Sequence, residues 1–205
     1  QVYGRHDIQK KRTTADMFSA LQTADEFGFT ASQLNRMGAA LRFIHEGFSK
    51  QTQKMHPREL LSLVEQYADA GIAYFDEILG ADQYIRSPLT RTATLSVALV
   101  TYRFSAAKYG GSVVSDFWKG IAFDDSVARG DPRKTAKRHL ETINMQGSNG
   151  DATAKIKKSA AYSSRYVAQC FNAFVENRNL GKTYVMDEAT RPIIINGTPW
   201  DGKTA

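Results

Sequence analysis

The chain has 205 residues and 22.8 kDa, enough to bury a core without metal or disulfide support, and its 42 % apolar and 23 % charged residues exclude wholesale disorder. Cys170 is the single cysteine, which excludes an internal disulfide framework and any multi-cysteine metal site. The formal net charge is +6, from 27 basic and 21 acidic side chains.

In chain order, Lys10-Lys11-Arg12 falls before the first helix signal, and residues 1–14 read as a flexible basic arm. Thr30 with Gln33 three residues later forms a capping-box pattern. It opens a stripe of Leu34, Met37, Leu41, Ile44 and Phe48, whose 3–4 spacing predicts a helix of about 18 residues. Pro57 suits a first helical turn, and Leu60, Val64, Tyr67, Gly71, Phe75 and Ile78 repeat the spacing up to a stop at Gly80.

Ser87-Pro88 and Gly110-Gly111 bracket the next helix. It carries one stripe through Leu89, Ala93, Val97, Val100 and Phe104, and a second through Leu95, Leu99, Tyr102 and Ala106. A helix apolar on two sides belongs in the middle of a bundle. Ser112 opens a shorter helix with Val114, Phe117, Trp118 and Ile121, ending near Gly130.

Asp131-Pro132 is an N-cap acid followed by a residue with its dihedral preset. After a Gly/Asn/Ser loop at 146–150, Asp151 is expected to cap a last long helix through Ile156, Ala160, Ser163, Val167, Cys170 and Phe174. Cys170 on that stripe reads as a small buried hydrophobe. Thr183 to Met186 and Pro192 to Ile195 are short apolar runs in an extended tail, 181–205. The expected fold is therefore all-α: one domain over 1–205, an irregular bundle of about seven helices with a short extended C-terminal arm.

The charge is localised. From Pro132 to Arg165, Arg133, Lys134, Lys137, Arg138, Lys155, Lys157, Lys158 and Arg165 face only Glu141 and Asp151, eight minus two, so 34 residues carry a net +6. Residues 51–100 carry four basic and six acidic side chains, a net of −2. Such a stripe on a near-neutral domain is the footprint of a polyanion partner. The plainer reading of the same charges is a solvated helix face. Tyr162 and Tyr166 flank Arg165 on the expected last helix, where exposed rings would stack on bases. The plainer reading has Tyr166 at the core edge and Tyr162 exposed.

Other chemistry is weakly marked. Gly197-Thr198-Pro199-Trp200-Asp201-Gly202-Lys203-Thr204 matches the phosphate-loop pattern, with Ile193-Ile194-Ile195 as the strand before it. The mechanism needs a helix straight after the lysine and a parallel sheet upstream; the sequence stops at Ala205 and offers no such sheet. His6, His45, His56 and His139 are scattered, with surface or capping roles expected. No nucleophile elbow appears, and the adjacent pairs Asp76-Glu77 and Asp124-Asp125 point to different sides of a helix. A two-metal nuclease site would need carboxylates converging from separate elements, which a sequence leaves open. No catalytic residue, cofactor or metal set is assigned. No run approaches the roughly 18 apolar residues of a membrane helix and no charged-then-apolar leader opens the chain, so a cytoplasmic protein without membrane contact is expected.

Three phrases carry a family resemblance. They are Gln1 to Met17, with Lys11-Arg12-Thr13-Thr14-Ala15-Asp16; Asp116-Phe117-Trp118-Lys119-Gly120-Ile121 with Gly130-Asp131-Pro132-Arg133; and Cys170-Phe171-Asn172-Ala173-Phe174 with Pro192-Ile193-Ile194. Together they resemble the helical region that follows the ParB/sulfiredoxin-like domain in phage and plasmid proteins, with Phe171 where tryptophan is usual. The resemblance implies that this domain is absent here, that no family catalytic residue carries over, and that the chain associates with DNA. The expected partner is thus nucleic acid, DNA first, bound by the eight cations named above; the alternative is an interaction or homo-oligomerisation module engaging an acidic host protein.

Overall fold

Thr30 shows why the first helix starts where it does. In the computed structural model its hydroxyl accepts from the Gln33 amide at 3.2 Å, while the Gln33 side chain accepts from the Thr30 amide at 2.7 Å. Two amides that a helix start would leave orphaned are thereby satisfied. The structure describes residues 27–48, 55–80, 88–123, 127–145, 159–181, 193–195 and 198–200. The arm at 1–14, the 146–150 loop and Thr183 to Met186 lie outside them.

Helix α1, Ala31–His45, is shorter than the stripe suggested, because the chain turns left-handed at Gly47 and Phe48 with φ of 63° and 58°. The Phe48 amide reaches back to the Phe43 carbonyl at 2.8 Å and closes the last turn. A left-handed phenylalanine is costly. Its ring is buried and meets Phe43 edge-on at 5.7 Å, which offsets that cost.

Helix α2, Pro57–Tyr74, is capped by His56, whose Nδ1 accepts from the Arg58 amide at 3.3 Å. It runs on into a π-helical turn, Phe75–Leu79, and stops at Gly80, φ 56°. A 3₁₀ turn, Pro88–Thr90, leads into α3, Thr92–Val100, whose side chains from Ala93 to Val100 are all buried. This is the central position expected of a two-sided helix. A second π turn, Thr101–Ser105, joins α3 to α4, Ala106–Tyr109, so the three pieces form one rod. Helix α5, Gly111–Ala122, α6, Pro132–Met145, and α7, Ala160–Val175, follow. The described residues thus hold six helical rods, and the protein is all-α in character.

The rods enclose one core. α3 packs against α1, α2 and α7, and α6 lies between α5 and α7. Trp118 is fully buried, edge-on to Tyr74 at 5.5 Å and Phe117 at 5.2 Å, and Phe117 meets Phe171 at 5.1 Å. Its indole nitrogen donates to Thr101 Oγ1 at 3.0 Å, and Tyr74 donates to the Leu89 carbonyl at 2.9 Å. Every polar tip in this aromatic group therefore finds a partner. Cys170 sits on the same core with no exposure, and burial raises its thiol above the usual range.

The C-terminal residues described form a hairpin rather than a phosphate loop. Ile193–Ile195 (β1) pairs antiparallel with Thr198–Trp200 (β2), Ile195 opposite Thr198, and β1 lies against α7. Thr198–Trp200, three residues of the phosphate-loop pattern, are spent as a strand, and the pattern's other residues lie outside the described ones.

Besides the early end of α1, α5 stops at Ala122, well before Gly130, and the start of the last helix differs from expectation. The last helix begins at Ala160, capped by Ser159, whose backbone is extended at φ −61° and ψ 145° and whose hydroxyl accepts from the Tyr162 amide at 3.1 Å. A helix running unbroken from Asp151 through Phe174 is therefore ruled out. The Ser159 hydroxyl satisfies an amide of the first turn and starts the helix there, while Asp151 lies outside the described residues.

Candidate nucleic-acid interface

Helix α6 carries the first four cations of the stripe. At 100° per residue, Pro132, Thr135, Ala136, Leu140 and Ile143 fall on one side, and all are buried. Lys134, Lys137, Arg138 and Glu141 fall opposite and face outward, Arg138 and Glu141 exposed, the two lysines partly so. Arg138 is one turn beyond Lys134, about 6 Å along the axis.

Two of these cations also serve the fold. The Arg133 guanidinium forks onto Asp131, Nη2 to Oδ2 at 2.7 Å and Nε to Oδ1 at 3.0 Å, with the side chains 23 % and 17 % exposed. Its Cζ lies 5.0 Å from the Phe174 ring centroid, and its stem covers Gly120, so one residue ties α5, α6 and α7 together. The Asp131 charge largely offsets its own. Lys134 Nζ donates to the Val127 carbonyl at 3.1 Å, folding that lysine back over the turn before α6.

α7 packs alongside α6 and carries Arg165, partly exposed and already in contact within the fold. Lys155, Lys157 and Lys158 lie outside the described residues. They also precede the Ser159 cap, so they do not share a helix with Tyr162, Arg165 and Tyr166 as expected. The structure brings Lys134, Lys137 and Arg138 onto one face, with Arg133 at its edge.

The two tyrosines are not exposed platforms. Tyr162 and Tyr166 are 8 % and 9 % exposed, and Tyr166 stacks on His139 at 4.0 Å between centroids and 14° between planes. Tyr162 lies 5.8 Å from the same imidazole. His139 is thus part of the α6–α7 seam rather than a surface or capping residue. Its position beside Ala136, Leu140 and Ile143 on the helical wheel was the signal for this. Sequence reasoning also passed over Arg129, exposed in the turn that leads into α6; next to it the Gly130 carbonyl accepts from the Leu180 amide, in the segment after α7, at 2.7 Å.

Of the other histidines, His6 lies outside the described residues, His56 caps α2, and His45 Nε2 stands 3.6 Å from Glu59 on an exposed face. Glu77, on the first π turn, accepts from Ser115 and, at 3.3 Å, from Tyr102 on the second, with Lys119 Nζ at 3.7 Å. Burial and this carboxylate push the Tyr102 phenol well above its ordinary range. Among the described residues no three His, Cys, Asp or Glu side chains gather as a metal site would require, and no helix is long and apolar enough to cross a membrane. No family model, curated protein or solved structure matches this chain.

Proposed function

We propose that this chain associates with nucleic acid, DNA in the first instance, by contacting phosphates through α6 and the basic stretch that leads into α7. The observation that carries the reading is the outward face of α6. There Lys134, Lys137 and Arg138 stand opposite the buried side of the helix, with Arg129 in the turn before it. Lys155, Lys157, Lys158 and Arg165 continue the same charge along the chain. Arg133 contributes by holding α6 against α5 and α7, which keeps that face rigid. The phrases that resemble helical regions of phage and plasmid proteins with ParB/sulfiredoxin-like domains favour DNA over RNA. Those phrases are built around buried residues, Phe117, Trp118 and Phe171, so their support is for a shared scaffold.

The test is a mobility-shift and fluorescence-anisotropy titration on a duplex at several salt concentrations. Each phosphate contact contributes roughly 0.9 to the slope of log affinity against log salt, so six contacts give a slope of about −5. Lys137→Glu with Arg138→Glu, and separately Lys155→Glu, Lys157→Glu and Lys158→Glu together, should flatten it and weaken binding. Binding that ignores salt or survives both reversals refutes the proposal. Sizing chromatography of the same samples detects the competing outcome, self-association or capture of an acidic protein.

A further inference from the structure

We infer that the partner of this face is a duplex read through its backbone, in preference to a single strand; this rests on the reading above and adds the form of the ligand. Proteins that hold single strands combine a basic groove with exposed aromatic rings on which bases stack. Every aromatic ring of α6 and α7 is already occupied. Tyr166 is stacked on His139, Tyr162 lies beside both, Phe171 is buried among core rings, and Phe174 is covered by the Arg133 guanidinium. Freeing either tyrosine would open the α6–α7 seam. What the face offers is charge without a ring: Lys134, Lys137 and Arg138 around the single carboxylate of Glu141, on a helix held by its neighbours.

A net-positive face that binds through charge responds to charge density, and a duplex carries one charge per roughly 1.7 Å of axis against 3.4 Å for one strand. With no stacking to compensate, the single strand is the weaker ligand. Among the described residues, the exposed ring closest in the chain to this region is Phe123, 50 % exposed at the end of α5. Among the described residues it is the ring a single strand would stack on.

The experiment compares a 20-base-pair duplex, a scrambled duplex and a 20-nucleotide single strand by fluorescence anisotropy with the full chain, beside Phe123→Ala. The expected result is a preference on the order of tenfold for either duplex at low salt, from charge density alone. The two duplexes should agree within about twofold, and Phe123→Ala should leave all three affinities unchanged. Equal or tighter binding of the single strand overturns the inference while leaving nucleic-acid association intact. A loss of single-strand affinity in Phe123→Ala that removes such binding locates the stacking we exclude. Absence of binding to all three overturns the proposed function and this inference with it.

Discussion

Gly120 offers the sharpest check on how the α6 face is supported. It is buried in α5, and an alanine there would gain about 1 kcal/mol of helix propensity. The added Cβ, however, would lie 2.5 Å from Arg133 Cδ and 3.1 Å from its Nε and Nη1. An unanchored arginine would swing aside. This one is forked onto Asp131 and lies over Phe174, so moving it sacrifices a partly buried, charge-assisted pair. Overpacking costs about 1–3 kcal/mol; with Cδ at 2.5 Å and the arginine pinned, about 2–3 kcal/mol applies and outweighs the propensity gain.

Gly120→Ala should therefore destabilise by about 1–2 kcal/mol, or lower Tm by roughly 2–8 °C in a chain of this size. In an Arg133→Ala background those three closest contacts are gone and the same change should stabilise by about 1 kcal/mol. The double-mutant cycle then returns a coupling of about 2–3 kcal/mol. Urea denaturation followed by circular dichroism measures all four corners. If Gly120→Ala has the same effect with and without Arg133, the arginine is not packed against α5 and the rigidity argued for α6 loses its basis.

Further outcomes follow from other contacts. Thr30→Ala removes the capping box of α1 and should cost about 1 kcal/mol, with Gln33→Ala adding little in that background. Thr101→Val strands the buried Trp118 N–H and should cost about 1–3 kcal/mol, whereas Thr101→Ser should cost less; a loss in Thr101→Ser with none in Thr101→Val would show that the methyl and not the hydroxyl matters. Because burial holds the Cys170 thiol protonated, a thiol reagent at pH 8 should label it only on unfolding. Native-state labelling at the rate of an exposed thiol would contradict its burial. Tyr67 is pushed up to about 12, chiefly by burial, against about 10 when unfolded. The unfolded chain thus loses protons first, and stability present below pH 10 should fall between pH 10 and 12. Tyr67→Phe should shallow that fall in alkaline denaturation; an unchanged profile would remove Tyr67 from the account.

The sequence by itself determined the helices and their inner faces. Leu34, Met37, Leu41 and Ile44, or Leu60, Val64 and Tyr67, recur at helical spacing, and every one is buried. Local chemistry also marked the starts at Thr30, His56 and Asp131, because a cap is a contact within three residues. What spacing could not reveal is how one element constrains another. The fork of Arg133 onto Asp131 under the roof of Phe174, the stacking of Tyr166 on His139 and the pairing of β1 with β2 are long-range or orientation-dependent contacts. Composition counted Arg133 as an available positive charge and Tyr162 and Tyr166 as available rings, since counting ignores partners. Only packing α6 between α5 and α7 decides which cations face water and which rings are already taken, because burial is a property of two surfaces meeting.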